Sequence, residues 1–125
     1  MIKIMFCLRR LPTLTREQFQ DYWRNKHAPL VMARAKLLGI HRYVQCHTQA
    51  DATFARFSAS RGGHPAFDGI AEIWQGDAGE GSVEERRRAS QDLLEDERRF
   101  IDLPASPLFF VDEYEAVSPA NQPGV

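Results

Sequence analysis

The stretch 16-REQFQDYWRNKHAPLV-31 decides how the first half of the chain folds. Phe19, Trp23 and His27 follow one another at four-residue steps, so they share one face of a helix. Leu30 and Val31 continue that face, and Tyr22 widens it. An ionisable imidazole therefore sits on the stripe that a helix buries. Pro29 follows two residues later; it has no N–H to donate, and in a straight helix its ring meets the carbonyl of Asn25. The residue before a proline is also pushed away from helical angles, so the spacing predicts a break at His27 or Ala28. An inward histidine at a helix break serves a core poorly and a site well. The plain structural alternative is an imidazole that bonds the carbonyl freed by Pro29.

The rest of the chain arranges itself around this helix. Before it, Ile2, Ile4, Phe6 and Leu8 alternate with Lys3, Met5, Cys7 and Arg9, the period of a strand with two different faces. Thr15 offers a hydroxyl to cap the helix, and Gln18 completes a capping box. Pro29 suits the first turn of a second helical segment that runs to about Leu38, where Gly39 ends it. Ile40 to Thr48 reads as a second strand, with Ile40, Val44 and Cys46 on one face and His41, Tyr43, Gln45 and His47 on the other. Residues 49–67 are too long for a tight turn and read as a functional rim or an insertion, in which Phe54 and Phe57 argue for partial packing. A third strand covers Asp68 to Gln75, with Ile70, Glu72 and Trp74 on one face. Gly76 to Ser82 is a loop, Val83 to about Phe100 a charged helix with a thin apolar stripe, and Leu108 to Val117 a last strand.

That order, β-α-β-β-α-β, predicts an α+β, ferredoxin-like fold: an antiparallel four-stranded sheet with helices on one face. Residues 1–117 form the domain and residues 118–125 a tail. The uncovered sheet face would leave Trp74, Phe109 and Val111 in water, so a homodimer that stacks two such faces into a barrel is expected.

Composition bounds the function. The chain has 125 residues, room for one core, and a formal net charge of −1, which provides no basic field for nucleic acid or an anionic membrane. No apolar run approaches the roughly 20 residues of a membrane span. The first residues end in charge without a small-residue cleavage site, so no signal peptide is expected. Cys7 and Cys46 have no framework spacing and read as reduced thiols of a cytoplasmic protein. The four histidines form no metal-ligand spacing, and no phosphate loop, dinucleotide fingerprint or nucleophile elbow is present. No metal and no cofactor are expected.

Taken together, Phe19–Val31, Gly39-Ile-His-Arg-Tyr-Val44, Asp68-Gly-Ile-Ala-Glu-Ile-Trp74 and Asp96-Glu97 with Phe100-Ile-Asp102 resemble the EthD domain, a family named for ethyl tert-butyl ether degradation. The resemblance runs from Met1 to about Glu115. It implies a dimeric α+β barrel related to small cofactor-independent isomerases, cyclases and quinone-forming monooxygenases; some fungal relatives look like dehydratases. The first half is also similar to muconolactone methylisomerases, whose histidine and tyrosine corresponding to His27 and Tyr43 lie in the ligand pocket.

These residues support one chemistry in particular. An imidazole such as that of His27 ordinarily titrates near neutrality and can take or give a proton, and the phenol of Tyr43 can polarise a carbonyl or phenolate oxygen. Trp23, Gln45, His47, Glu72 and Trp74 are expected to line the pocket around them. The reading is a small-molecule enzyme, of oxidoreductase, isomerase or lyase type, acting without a bound cofactor on a small apolar, oxygen-bearing compound. The alternative is a non-catalytic ligand-binding or accessory protein of an oxidative ether or aromatic degradation system.

Overall fold

The computed structural model describes residues 1–50, 52, 54–77 and 80–121. Four residues of the expected tail (122–125), two of the long connection (51 and 53) and two of the glycine-rich loop (78–79) lie outside the described residues. The alternating segments form strands β1 (Ile2–Leu8), β2 (Ile40–His47), β3 (Gly69–Gln75) and β4 (Leu108–Val111). They make one antiparallel sheet in the order β2-β3-β1-β4. Helices α1 (Arg16–Tyr22), α2 (Ala28–Leu38) and α4 (Val83–Glu97) complete the ferredoxin-like α+β fold, and a short α3 (Ala55–Ala59) lies in the long connection. No helix among the described residues is long and apolar enough to cross a membrane.

Local chemistry explains most boundaries. The Thr15 hydroxyl accepts from the Gln18 amide at 3.1 Å while the Gln18 side chain accepts from the Thr15 N–H at 2.9 Å, a reciprocal cap on α1. Gly39 ends α2 at φ +70°, a conformation that L side chains rarely adopt. Strand β4 stops at Val111, short of the expected Val117, and Glu113 beyond it turns back to Lys3 and Trp74. Phe6, Leu8 and Ala71 from the sheet meet Phe19, Trp23, Phe100 and Ile101 in the main core.

The expected helix break does not occur. Trp23–His27 form a turn of π-helix, and His27 and Ala28 both keep right-handed helical angles. The Ala28 N–H reaches back five residues to the carbonyl of Trp23. A turn widened by one residue changes the register in which Pro29 would meet the Asn25 carbonyl, and the proline is accommodated with His27 and Ala28 still in the helical basin. Phe19, Trp23, His27 and Val31 remain buried on one face across the junction.

Strand β2 also departs from simple alternation. Ile40 pairs with Gln75 and Arg42 with Trp74, leaving His41 as the extra residue of a bulge. Ile40 therefore joins Tyr43, Gln45 and His47 on the helix side instead of Val44 and Cys46. Where β3 begins, the Asp68 carboxyl accepts from the Arg10 backbone at 2.9 Å, the Arg10 guanidinium at 2.6 Å and Arg16 at 3.1 Å. Burial opposes its ionisation, but these donors outweigh burial and hold it below the ordinary carboxylate range.

That latch sets Gly69 directly beneath Trp23. A methyl group on Gly69 would lie 2.9 Å from Cη2 of the indole and 3.0 Å from the Cys46 carbonyl. Gly69→Ala is expected to destabilise the fold by about 1–3 kcal/mol through overpacking, measured by urea unfolding.

Candidate functional site

Trp23, at the start of the π turn, is the hub of a polar network inside the helix–sheet interface. Its indole N–H donates to the Tyr43 hydroxyl at 3.1 Å. The Gln45 amide N–H₂ donates both to the Trp23 carbonyl and to the Tyr43 hydroxyl, each at 3.0 Å. An indole N–H can only donate and a backbone carbonyl can only accept, so these bonds fix the Gln45 orientation. Its remaining oxygen accepts from Nε2 of His47 at 2.9 Å. His47 therefore carries its proton on Nε2 and leaves Nδ1, a buried atom with no hydrogen-bond partner among the described residues, as a bare acceptor. Burial, with Arg24 adding, pushes this imidazole below its ordinary value.

The proton inventory singles out Tyr43. Its oxygen accepts twice, so its own O–H proton is not committed to this network. Burial pushes the phenol upward, against the two bonds it receives, and it stays a neutral donor at cellular pH.

His27, at the other end of the π turn, is fixed from α4. Nδ1 lies 2.7 Å from one oxygen of Asp96, and the Tyr22 hydroxyl donates to the other at 2.6 Å. The buried Asp96 thus binds both ends of the helical junction and places the imidazole proton on Nδ1. Nε2 is left with a lone pair and, among the described residues, no hydrogen-bond partner. Phe100 packs on the ring at 5.0 Å. Burial pulls the imidazole below its ordinary value, the Asp96 bond opposing.

His27, Tyr43 and Trp23 line a cavity of about 60 Å³ between sheet and helices, together with Leu93, Ile101 and Glu97. The Glu97 carboxyl makes no hydrogen bond or ion pair among the described residues. Burial, then the neighbouring Asp96, raise it from an ordinary 4.5 to about 7. Outside the cavity, between α2 and the edge strand β2, runs a groove of about 380 Å³ lined by Ala28, Met32, Ala35 and Gln45. Val31, Ile40 and Tyr43 line both spaces and form the wall between them.

The EthD domain family profile matches residues 11–104. The chain belongs to the EthD family. No curated protein matches it. Among solved structures, it is similar to an EthD family protein from Bacillus halodurans C-125, with a TM-score of 0.56 and 17% identity over 91% of this chain and 100% of that one. At that identity the likeness is one of fold.

Within this EthD domain, the structure brings together five of the seven residues singled out from the sequence: His27, Tyr43, Trp23, Gln45 and His47. Glu72 and Trp74 stand apart on the opposite face of the sheet. There Glu72 pairs with Lys3 at 3.0 Å, and the Trp74 indole donates to Glu113 at 3.1 Å with Lys3 and Arg42 over its ring. Three further residues join those five: Tyr22, which the sequence places on the buried face, and Asp96 and Glu97, which the sequence allows either to close the pocket or, as the simpler reading, to pair with arginines. A signal for Glu97 existed, since Leu93, Glu97 and Ile101 repeat the four-residue step that exposed His27.

A carboxyl raised to about 7 in the folded state holds its proton where the unfolded chain has lost it. The penalty is absent below pH 4.5, grows as pH rises from 4.5 to 7, and is complete above that. Glu97→Gln, which cannot ionise, is expected to gain on wild type through this window, up to about 3 kcal/mol. Urea unfolding of both proteins between pH 4 and pH 8 (roughly the range that brackets the window) measures it.

Proposed function

We propose that this EthD-family chain is an enzyme that acts on a small, largely apolar, oxygen-bearing compound through acid/base chemistry of its own side chains. The reaction is of isomerase, dehydratase, cyclase or monooxygenase type, within a degradation or secondary-metabolite pathway. One observation carries this reading: a phenol with an uncommitted proton and an imidazole with an uncommitted Nε2 share one apolar cavity. The phenol suits an oxygen on which negative charge develops, and the imidazole suits the proton that must leave. Neither needs to reorganise, because Trp23 and Gln45 hold the first and Asp96 holds the second.

The inner cavity of about 60 Å³ fits reacting atoms but not a whole substrate, so the substrate's body occupies the groove between α2 and β2. Its reacting end passes the wall made by Val31, Ile40 and Tyr43. Exchange of enolisable hydrogens of small apolar ketones in heavy water, followed by NMR, tests the assignment. His27→Ala is expected to slow exchange on the order of 10²–10⁴-fold. Tyr43→Phe is expected to slow it about 10²-fold at unchanged global fold. Exchange that is untouched in His27→Ala removes the imidazole from the mechanism. A ligand still bound by the double variant, with no turnover in wild type, favours the accessory, non-catalytic role.

We also infer a homodimer through the open sheet face. Met5, Val44 and Phe109 lie on that face by register, and Phe109 is 46% exposed in the single chain. Phe109→Glu is expected to convert a dimer to a monomer in light-scattering measurements, while an unchanged mass places the contact elsewhere.

A further inference from the structure

We propose that Glu97 is the proton donor that works opposite His27, so that the site moves one proton off and one proton onto a neutral unsaturated or hydroxylated ketone. This inference rests on the enzymatic reading above and narrows it to double-bond isomerisation or loss of water.

The geometry is the starting point. Glu97 comes from the last residue of α4, His27 from the π turn and Tyr43 from β2, and all three line one cavity whose other walls, the Trp23 ring included, carry no ionisable group. The groups that bear electrically on Glu97 are Asp96 and Arg98 at its own helix end and Tyr43 across the cavity, and His27 lines the same space. No lysine or arginine lines the space, so nothing there neutralises an anionic substrate or locks Glu97 as a carboxylate.

The environments then order the two groups. In water near pH 7, glutamate is a spent acid and histidine is mostly a base. Here burial lowers His27 and raises Glu97 to about 7, so the imidazole is unprotonated while a large fraction of the carboxyl keeps its proton. One base and one acid coexist at neutral pH, the arrangement by which a site divides acid and base roles.

The chemistry balances without an oxidant. In a double-bond shift, Nε2 of His27 takes the hydrogen lying between carbonyl and alkene. The electron pair moves onto the carbonyl oxygen, which the Tyr43 O–H receives. Collapse of the dienolate then takes the Glu97 proton at the far carbon. For a β-hydroxy ketone, His27 takes the α-hydrogen and Glu97 protonates the departing hydroxide, which leaves as water. In both cases the imidazolium returns its proton to the Glu97 carboxylate through water, for which the cavity has room.

The test uses the full chain and β,γ-cyclohexenone, which becomes its conjugated isomer, in heavy water. Wild type is expected to isomerise it and to place solvent deuterium at the γ-carbon. Glu97→Gln is expected to lose isomerisation on the order of 10²–10⁴-fold while still exchanging the α-hydrogen, and His27→Ala to lose both. Isomerisation at the wild-type rate in Glu97→Gln, or a γ-carbon that carries the substrate's own α-hydrogen, overturns the role of Glu97 and leaves the enzymatic reading standing. A wild-type protein that neither exchanges nor isomerises the ketone overturns both. Carbon-13 NMR of the Glu97 carboxyl in wild type gives a check independent of any variant's folding: titration near neutrality supports the donor role, and titration in the ordinary carboxylate range refutes it.

Discussion

Pro29 cannot continue an ordinary α-helix, and the answer the chain finds organises everything around it. The π turn of Trp23–His27 widens the helix by one residue and keeps both sides of the junction facing the sheet. Its first residue supplies an indole N–H and a carbonyl, and its last supplies an imidazole. A straight helix would give the Trp23 carbonyl to residue 27, four positions on; here Ala28 takes that bond, and Gln45 shares the same oxygen from the side. The backbone irregularity and the polar network are therefore one feature. Buried polar groups of this kind are tolerated only when each finds a partner, and the network meets that condition almost everywhere. Among the described residues, the fully buried atom it leaves without a partner is Nδ1 of His47.

Asp96 is the second anchor. It lies one position before the end of α4, far along the chain from the junction it holds, and its two oxygens take Tyr22 and His27. Glu97, next in sequence, has no such partner among the described residues. Two adjacent carboxyls thus meet different fates because a helix turns successive side chains in different directions. One becomes a clamp; the other keeps a titratable proton inside an apolar space.

The parts legible in the sequence are those encoded by short spacing. Alternation marked β1 and β3, Thr15 with Gln18 marked the start of α1, and Gly39 marked the end of α2. The inward turn of Trp23 and His27 followed from their four-residue step. What depends on register was not legible. A single extra residue at His41 moves Ile40 to the helix side, and the pairing of Val44 with Glu72 and Gln45 with Ala71 is what separates Glu72 from Tyr43. Nor does any spacing distinguish a proline that breaks a helix from one that a wider turn absorbs. Glu97 stands on a readable stripe, but nothing in the spacing tells a carboxyl that lines a cavity from one that faces water.

The groove beside the cavity has a consequence for divergence within the family. Met32 is 72% exposed and His41 is the bulge residue, and neither belongs to the network around Trp23 or to the grip of Asp96. Substitutions at such positions reshape the outer groove while leaving the inner hydrogen bonds untouched. The edge of the sheet can thus change its outline while the buried half of the domain keeps its bonds.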